Sequence, residues 1–76
     1  MLTEAKRERL DDVFSYHAPT QDQQSALIAI RASAQAFAAT VILNTPESAD
    51  QSAALRKIRE AVMTANAAVV LQGRGL

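Results

Sequence analysis

The stretch TQDQQSALIAIRASAQAFAATVILNTPESADQ, residues 20–51, decides the fold. It opens on Thr20-Gln21-Asp22-Gln23, a capping box in which the Thr20 hydroxyl accepts from the amide of Gln23 while the Gln23 side chain reaches back. Behind it Leu27, Ile30, Ala34, Phe37, Val41 and Asn44 step by three and four residues, and Ile28 and Ile42 widen the stripe. That spacing predicts a helix with one apolar face along its whole length. From Gln21 to Leu43 the helix is about 34 Å long at ~1.5 Å per residue. Asn44, Thr45 and Pro46 end it, and Ser48 with Gln51 three residues on supplies a second capping box.

The second helix follows at once, with Asp50 in its first turn where the helix dipole favours a negative charge. Leu55, Ile58, Val62, Ala65 and Val69 again step by three and four up to Leu71, and Gly73 occupies the place of a left-handed residue after a helix end. Two matched amphipathic helices joined by a short turn predict an antiparallel helical hairpin. Upstream, Thr3 can cap a short charge-rich helix, and Ala18, ahead of Pro19, is forced into an extended conformation. The expected organisation is all-α and a single domain over 1–76. A short N-terminal helix lies in 1–12, an extended strap in 13–19, helices in 20–44 and 48–71, and a tail in 72–76.

Such a chain has little with which to build a core. Its 76 residues include 16 alanines, three aromatics and no cysteine. A chain of this size buries only about 60% of the surface it exposes when unfolded. Alanine adds little area per residue, but it lets helices approach closely, which predicts a homo-oligomeric helical bundle completed by other copies of the chain. Eight basic residues balance eight acidic ones. Duplex nucleic acid is therefore not an expected partner, because binding it needs a face that neutralises several phosphates at once. The mostly apolar run Ala32 to Leu43 is shorter than a bilayer span, and Lys6, Arg7 and Arg9 precede no apolar segment of a secretion signal. The expectation is a cytoplasmic protein without a membrane partner.

Catalysis is not expected. His17 is the only histidine, the serines have no base in a recognisable motif, and both glycines lie in the tail, so a phosphate-cradling loop is excluded. Asp11, Asp12 and Asp22 have neither the spacing of a calcium loop nor a histidine pair, so no metal or other cofactor is expected. Arg56, Lys57, Arg59 and Glu60 read as the solvated outer face of the second helix.

Four residues fit a plain hairpin poorly. Arg31 is the one basic residue between Arg9 and Arg56, set in the apolar run Ala26 to Ala39. Either its stem lies along the helix with the guanidinium in water, or it awaits an anion such as phosphate, which a guanidinium matches in a two-pronged fashion. Tyr16 and His17 on the strap either cap the hairpin core or present a ring on which a base stacks, with a hydrogen bond at its edge. Asn66, between Ala65 and Ala67, either fixes register between helices or binds a ligand.

The same residues carry a resemblance. Phe14-Ser15-Tyr16-His17-Ala18-Pro19, Ala29-Ile30-Arg31, Pro46-Glu47-Ser48 and Ala61-Val62-Met63-Thr64-Ala65-Asn66-Ala67-Ala68, in that order, resemble the short helical-hairpin phage proteins that counter the CBASS and Thoeris defences by sequestering cyclic nucleotide signals. The likeness covers roughly residues 13–71. It implies a homo-oligomer, commonly a hexamer, that holds cyclic dinucleotides between subunits without cleaving them. Cyclic trinucleotides or cyclic ADP-ribose-type signals are further ligands of the family. Tyr16 resembles the aromatic that stacks on the base and Arg31 the basic residue at the phosphates, while His17 and Asn66 match motif positions. Thr64 stands where relatives often have Trp, and Leu71 where many have a basic residue. The competing reading, from another class, is an adaptor hairpin whose Ala-rich face binds a partner helix.

Overall fold

In the computed structural model the described residues are 1–74; Gly75 and Leu76, the end of the expected tail, lie outside them. The described residues form three helices and no strand: α1 (Glu4–Val13), α2 (Gln21–Asn44) and α3 (Ala49–Leu71). The fold is an all-α antiparallel hairpin of α2 and α3, preceded by α1 and an extended linker.

Each helix start has a side-chain cap. The Thr3 hydroxyl accepts from the Lys6 amide at 3.2 Å. At α2 the capping box is complete: the Thr20 hydroxyl accepts from the Gln23 amide at 3.2 Å, and Gln23 Oε1 accepts from the Thr20 amide at 3.0 Å. Thr20 and Ser48 are caps rather than helical residues, so α2 and α3 begin one residue later than expected. The second box is only half made. The Ser48 hydroxyl accepts from the Gln51 amide at 3.2 Å, but Gln51 Nε2 turns to the Thr45 carbonyl at 3.2 Å and the Thr45 hydroxyl at 3.1 Å. In so short a turn, a donor at Gln51 binds groups left open just past the end of α2. Thr45 and Asn44 satisfy two further carbonyls there, those of Val41 and Thr40.

At the far end of α3 the left-handed conformation arrives one residue before the expected glycine. Gln72 has φ 51° and Gly73 φ 81°. The Gly73 amide donates to the Ala68 carbonyl at 3.3 Å, the long closing bond of a Schellman turn.

The hairpin seam is narrower than the sequence pattern. Ala26, Leu27, Ile30, Ala34, Ala38 and Val41 of α2 are half-buried, opposite Leu55, Ile58, Val62, Ala65 and Val69 of α3. Ile28, Phe37 and Ile42, expected on the same stripe, are 62%, 59% and 53% exposed. At ~100° per residue the apolar side chains of α2 span roughly half the helix circumference, and one partner helix covers a stripe of only about 100°. α2 therefore has more apolar surface than α3 can cover.

Only Leu71 is buried among the described residues. It lies at the end of the hairpin where three segments are tied together. Gln23 Nε2 donates to the Val69 carbonyl at 3.3 Å, and Arg74 Nε donates to Asp12 Oδ2 at 3.0 Å. The radius of gyration is 16.2 Å, against about 11 Å for a compact domain of this length. The accessible surface is 6023 Å², against roughly 4,500 Å² for a folded monomer of this mass. By length and composition alone α2 could cross a bilayer, with a mean hydropathy of 1.7 in its most apolar window. That window extends beyond the run Ala32 to Leu43 on which the sequence expectation rested. As a span, however, α2 would place Arg31 near the bilayer centre at a cost of about 2.5–3.5 kcal/mol or more.

Candidate functional site

The side chains of the seam leave a groove on each flank. Ala34, Ile58 and Val62 line both. One groove is almost wholly apolar, walled by Phe37 and Ser33 of α2 and Ala61 of α3. The other carries Arg31 and Gln35 on the α2 side and Arg59 and Met63 on the α3 side. Asn66 lies seven residues beyond Arg59, on the same flank of α3.

Arg31 is exposed, and it makes no hydrogen bond or ion pair among the described residues. The only basic residue of α2 thus stands at the rim of an apolar groove with no partner for its guanidinium among the described residues. Asp12 pairs with Arg74 and lies beside His17, where α1 meets the strap.

Tyr16 is 89% exposed and makes no hydrogen bond to the hairpin. It does not cap the core. His17 has a different setting: its ring Nε2 lies within hydrogen-bonding distance of the Asp12 backbone carbonyl and 3.8 Å from Asp12 Oδ1. That contact folds the strap back on the end of α1, and the Ser15 hydroxyl donates to the Asp11 carbonyl beside it. His17 is therefore placed to hold the strap on which Tyr16 stands. Asn66 is half-buried, and its side-chain carbonyl oxygen is buried without a hydrogen-bond partner. An unmade hydrogen bond of that kind costs about 1–3 kcal/mol, so the position is poorly explained by packing within one hairpin.

The four residues come from three segments: the strap, α2 and α3. The Gln23–Val69 bond sets the register of the hairpin, pairing positions whose numbers sum to about 92. Asn66 is then level with Ala26, and Arg31 is about 7 Å further along the axis. Tyr16 precedes α2 altogether, whereas Arg31 lies ten residues, about 15 Å, into it. Arg31 and Asn66 share a flank, and Tyr16 stands on the strap that precedes α2. What the sequence reading missed is Arg59, assigned to the solvated face, which borders the same groove as Arg31. Its spacing is the signal that could have found it: Arg59 is four residues from Leu55 and three from Val62, within about 60° of both around the helix, which Arg56 and Lys57 are not.

Among the described residues no group of three or more His, Asp or Glu side chains gathers. The arrangement offers a flat aromatic ring, an apolar groove floor, two guanidiniums and a carboxamide, which suit a ligand with aromatic and anionic parts. Comparison with known proteins agrees in kind. Residues 6–70 match the family model described as Acb2/Tad1, hairpin domain. No curated protein and no solved structure matches the chain. The match spans most of the chain, including the strap, both long helices and their turn, and the protein belongs to the Acb2/Tad1 hairpin-domain family, the anti-CBASS and anti-Thoeris cyclic nucleotide sponges.

Proposed function

We propose that the chain assembles into a homo-oligomer, a hexamer by the family's habit, and sequesters cyclic oligonucleotide second messengers in pockets between subunits. The captured signal is withheld from a bacterial anti-phage immune effector, in the cytoplasm and without catalysis. Cyclic dinucleotides are the leading ligand class, with cyclic trinucleotides and cyclic ADP-ribose-type signals as further candidates. The observation that carries this reading is Arg31, an unpaired guanidinium at an apolar groove in a chain of a sponge family.

The dispersal of the other residues supports a site built between chains. Tyr16 is exposed at the strap while Arg31 is well along α2, an arrangement that suits a site in which one subunit's ring meets another's guanidinium. A cyclic dinucleotide has two bases and two phosphates related by an approximate two-fold axis. A two-fold interface offering two Tyr16 rings and two Arg31 side chains matches it group for group. His17 steadies the strap, and Asn66 offers its unsatisfied carbonyl to the ligand or to a neighbouring chain. The surplus of about 1,500 Å² over a compact monomer is of the size that stable interfaces cover.

Calorimetry of the purified protein with cyclic dinucleotides tests the reading. Tight binding is expected in the wild type, weakened at least tenfold in Tyr16→Ala and in Arg31→Ala. If no cyclic nucleotide binds below about 10 μM, or if both variants bind as the wild type does, the reading fails and the adaptor hairpin replaces it.

A further inference from the structure

We infer that Arg59 is a second anion-binding residue of the Arg31 groove, so that each hairpin grips one phosphodiester from both helices at once. The inference deepens the proposed function and rests on it.

Arg31 and Arg59 come from different helices and are separated by most of the hairpin in sequence, yet both line one groove. In the register set by Gln23 and Val69, Arg31 is level with Ala61. Arg59 is two residues from that level, about 3 Å along the axis. Two like charges are thus held at nearly the same height on opposite walls, above a floor of Ala34, Ala38, Leu55, Ile58 and Val62.

Neither guanidinium has a hydrogen bond or ion pair among the described residues. Glu60 follows Arg59 in sequence, but it points about 100° away around the helix and does not line the groove. The remaining carboxylates of α2 and α3, Asp22 and Asp50, stand in the first turns of those helices. Two unneutralised cations beside an apolar surface repel one another in the empty protein, and an anion between them removes that repulsion. A phosphodiester has two free oxygens, one for each guanidinium fork. The apolar floor fits the ribose or base edge beside it.

The setting also separates Arg59 from its basic neighbours. Arg56 and Lys57 are exposed and line neither groove. They contribute to the general field of α3 but have no place at a bound phosphate.

Isothermal titration with cyclic di-AMP, cyclic di-GMP and cyclic GMP–AMP at two salt concentrations tests the assignment, on wild type, Arg59→Ala, Arg59→Lys, Arg31→Ala and Arg56→Ala. For each cyclic dinucleotide that the wild type binds, Arg59→Ala is expected to weaken affinity about 10- to 100-fold and to flatten its salt dependence. Arg59→Lys should recover part of the loss, because it keeps the charge but not the fork. Arg56→Ala, the same charge change away from the groove, should stay within twofold. If Arg59→Ala binds within twofold of wild type while Arg31→Ala loses affinity, Arg59 is not a ligand residue and the proposed function stands. If the wild type binds none of the three, the phosphodiester site and this inference fall together. Circular dichroism and sedimentation of each variant show that fold and assembly are retained.

Discussion

On the proposed reading, replacing Phe37 by serine should dissolve the homo-oligomer while leaving the hairpin folded. Phe37 is 59% exposed on the almost wholly apolar flank of the seam. A phenylalanine has about 200 Å² to bury, so roughly 120 Å² per chain remains for a neighbour to cover. At ~25 cal/mol per Å² that is about 3 kcal/mol per chain, or about 6 kcal/mol for a two-fold pair. Interfaces realise only part of such area, since ordering and imperfect desolvation subtract from it. Halving the figure still leaves about 3 kcal/mol per pair, more than a hundredfold in dissociation constant. Within the hairpin the serine forfeits the remaining ~80 Å², about 2 kcal/mol at most. Sedimentation velocity from 1 to 100 μM separates the two effects. The wild type should sediment as a multiple of 8.2 kDa and melt at a temperature that rises with concentration. Phe37→Ser should sediment as a helical monomer whose melting temperature no longer depends on concentration. A wild type that stays at 8.2 kDa at 100 μM, or a variant that assembles within tenfold of wild type, would refute the argument.

Four further outcomes follow from the caps and the strap. Gln23→Ala loses both the return half of the capping box and the bond to the Val69 carbonyl, so it should cost about 1–2 kcal/mol in a urea melt. Gln51→Ala should cost about 1 kcal/mol or less, with faster hydrogen exchange confined to the turn between α2 and α3. Gln72→Gly relieves a left-handed non-glycine residue and should raise stability by about 0.5–1 kcal/mol, read as a shift in the urea midpoint. Asp12→Ala removes the carboxylate beside Arg74 and His17 but keeps the backbone carbonyl that His17 meets; because the carboxylate is exposed, the loss should be at most about 1 kcal/mol, read as a shift in the urea midpoint.

The long helices and their turn were legible because they depend on local rules. A Thr at position 20 with a Gln at 23 places a helix start irrespective of tertiary context, and the three-four spacing of Leu55, Ile58, Val62, Ala65 and Val69 names a face. What periodicity could not decide was how much of the apolar surface of α2 one partner would cover. Ile28, Phe37 and Ile42 satisfy the same hydrophobic pattern as Ile30 and Val41, yet only the latter lie in the seam. The Gln51 side chain was ambiguous for a related reason. Both its own N-cap and the end of α2 offer partners, and the geometry of the turn makes the choice. At the candidate site, residue types that are rare for their surroundings were readable: a lone Arg31 and an exposed Tyr16. Arg59 was hidden among charged neighbours, because a run of four charged residues reads as one outer face until the register shows which member borders the groove.

On the proposed reading, the same shortage of core couples capture to assembly. A single hairpin has one Tyr16 and one Arg31, separated along its axis, and a net charge of zero. On that reading it cannot gather a doubly anionic ring by long-range attraction, and one stack with one phosphodiester held by Arg31 and Arg59 engages only half of the ligand. A symmetric assembly would multiply each residue without lengthening the chain, and its alanines would let the copies approach closely. By linkage, a ligand that bridges two chains stabilises the interface by the same free energy with which the interface strengthens the ligand site. On the proposed reading, a variant that weakens the interface without touching the ligand, such as Phe37→Ser, should therefore lose cyclic nucleotide affinity, and saturating ligand should restore part of its assembly. An adaptor hairpin predicts neither result. Titrating Phe37→Ser with a cyclic dinucleotide bound by the wild type, while following sedimentation, sets the two accounts against each other.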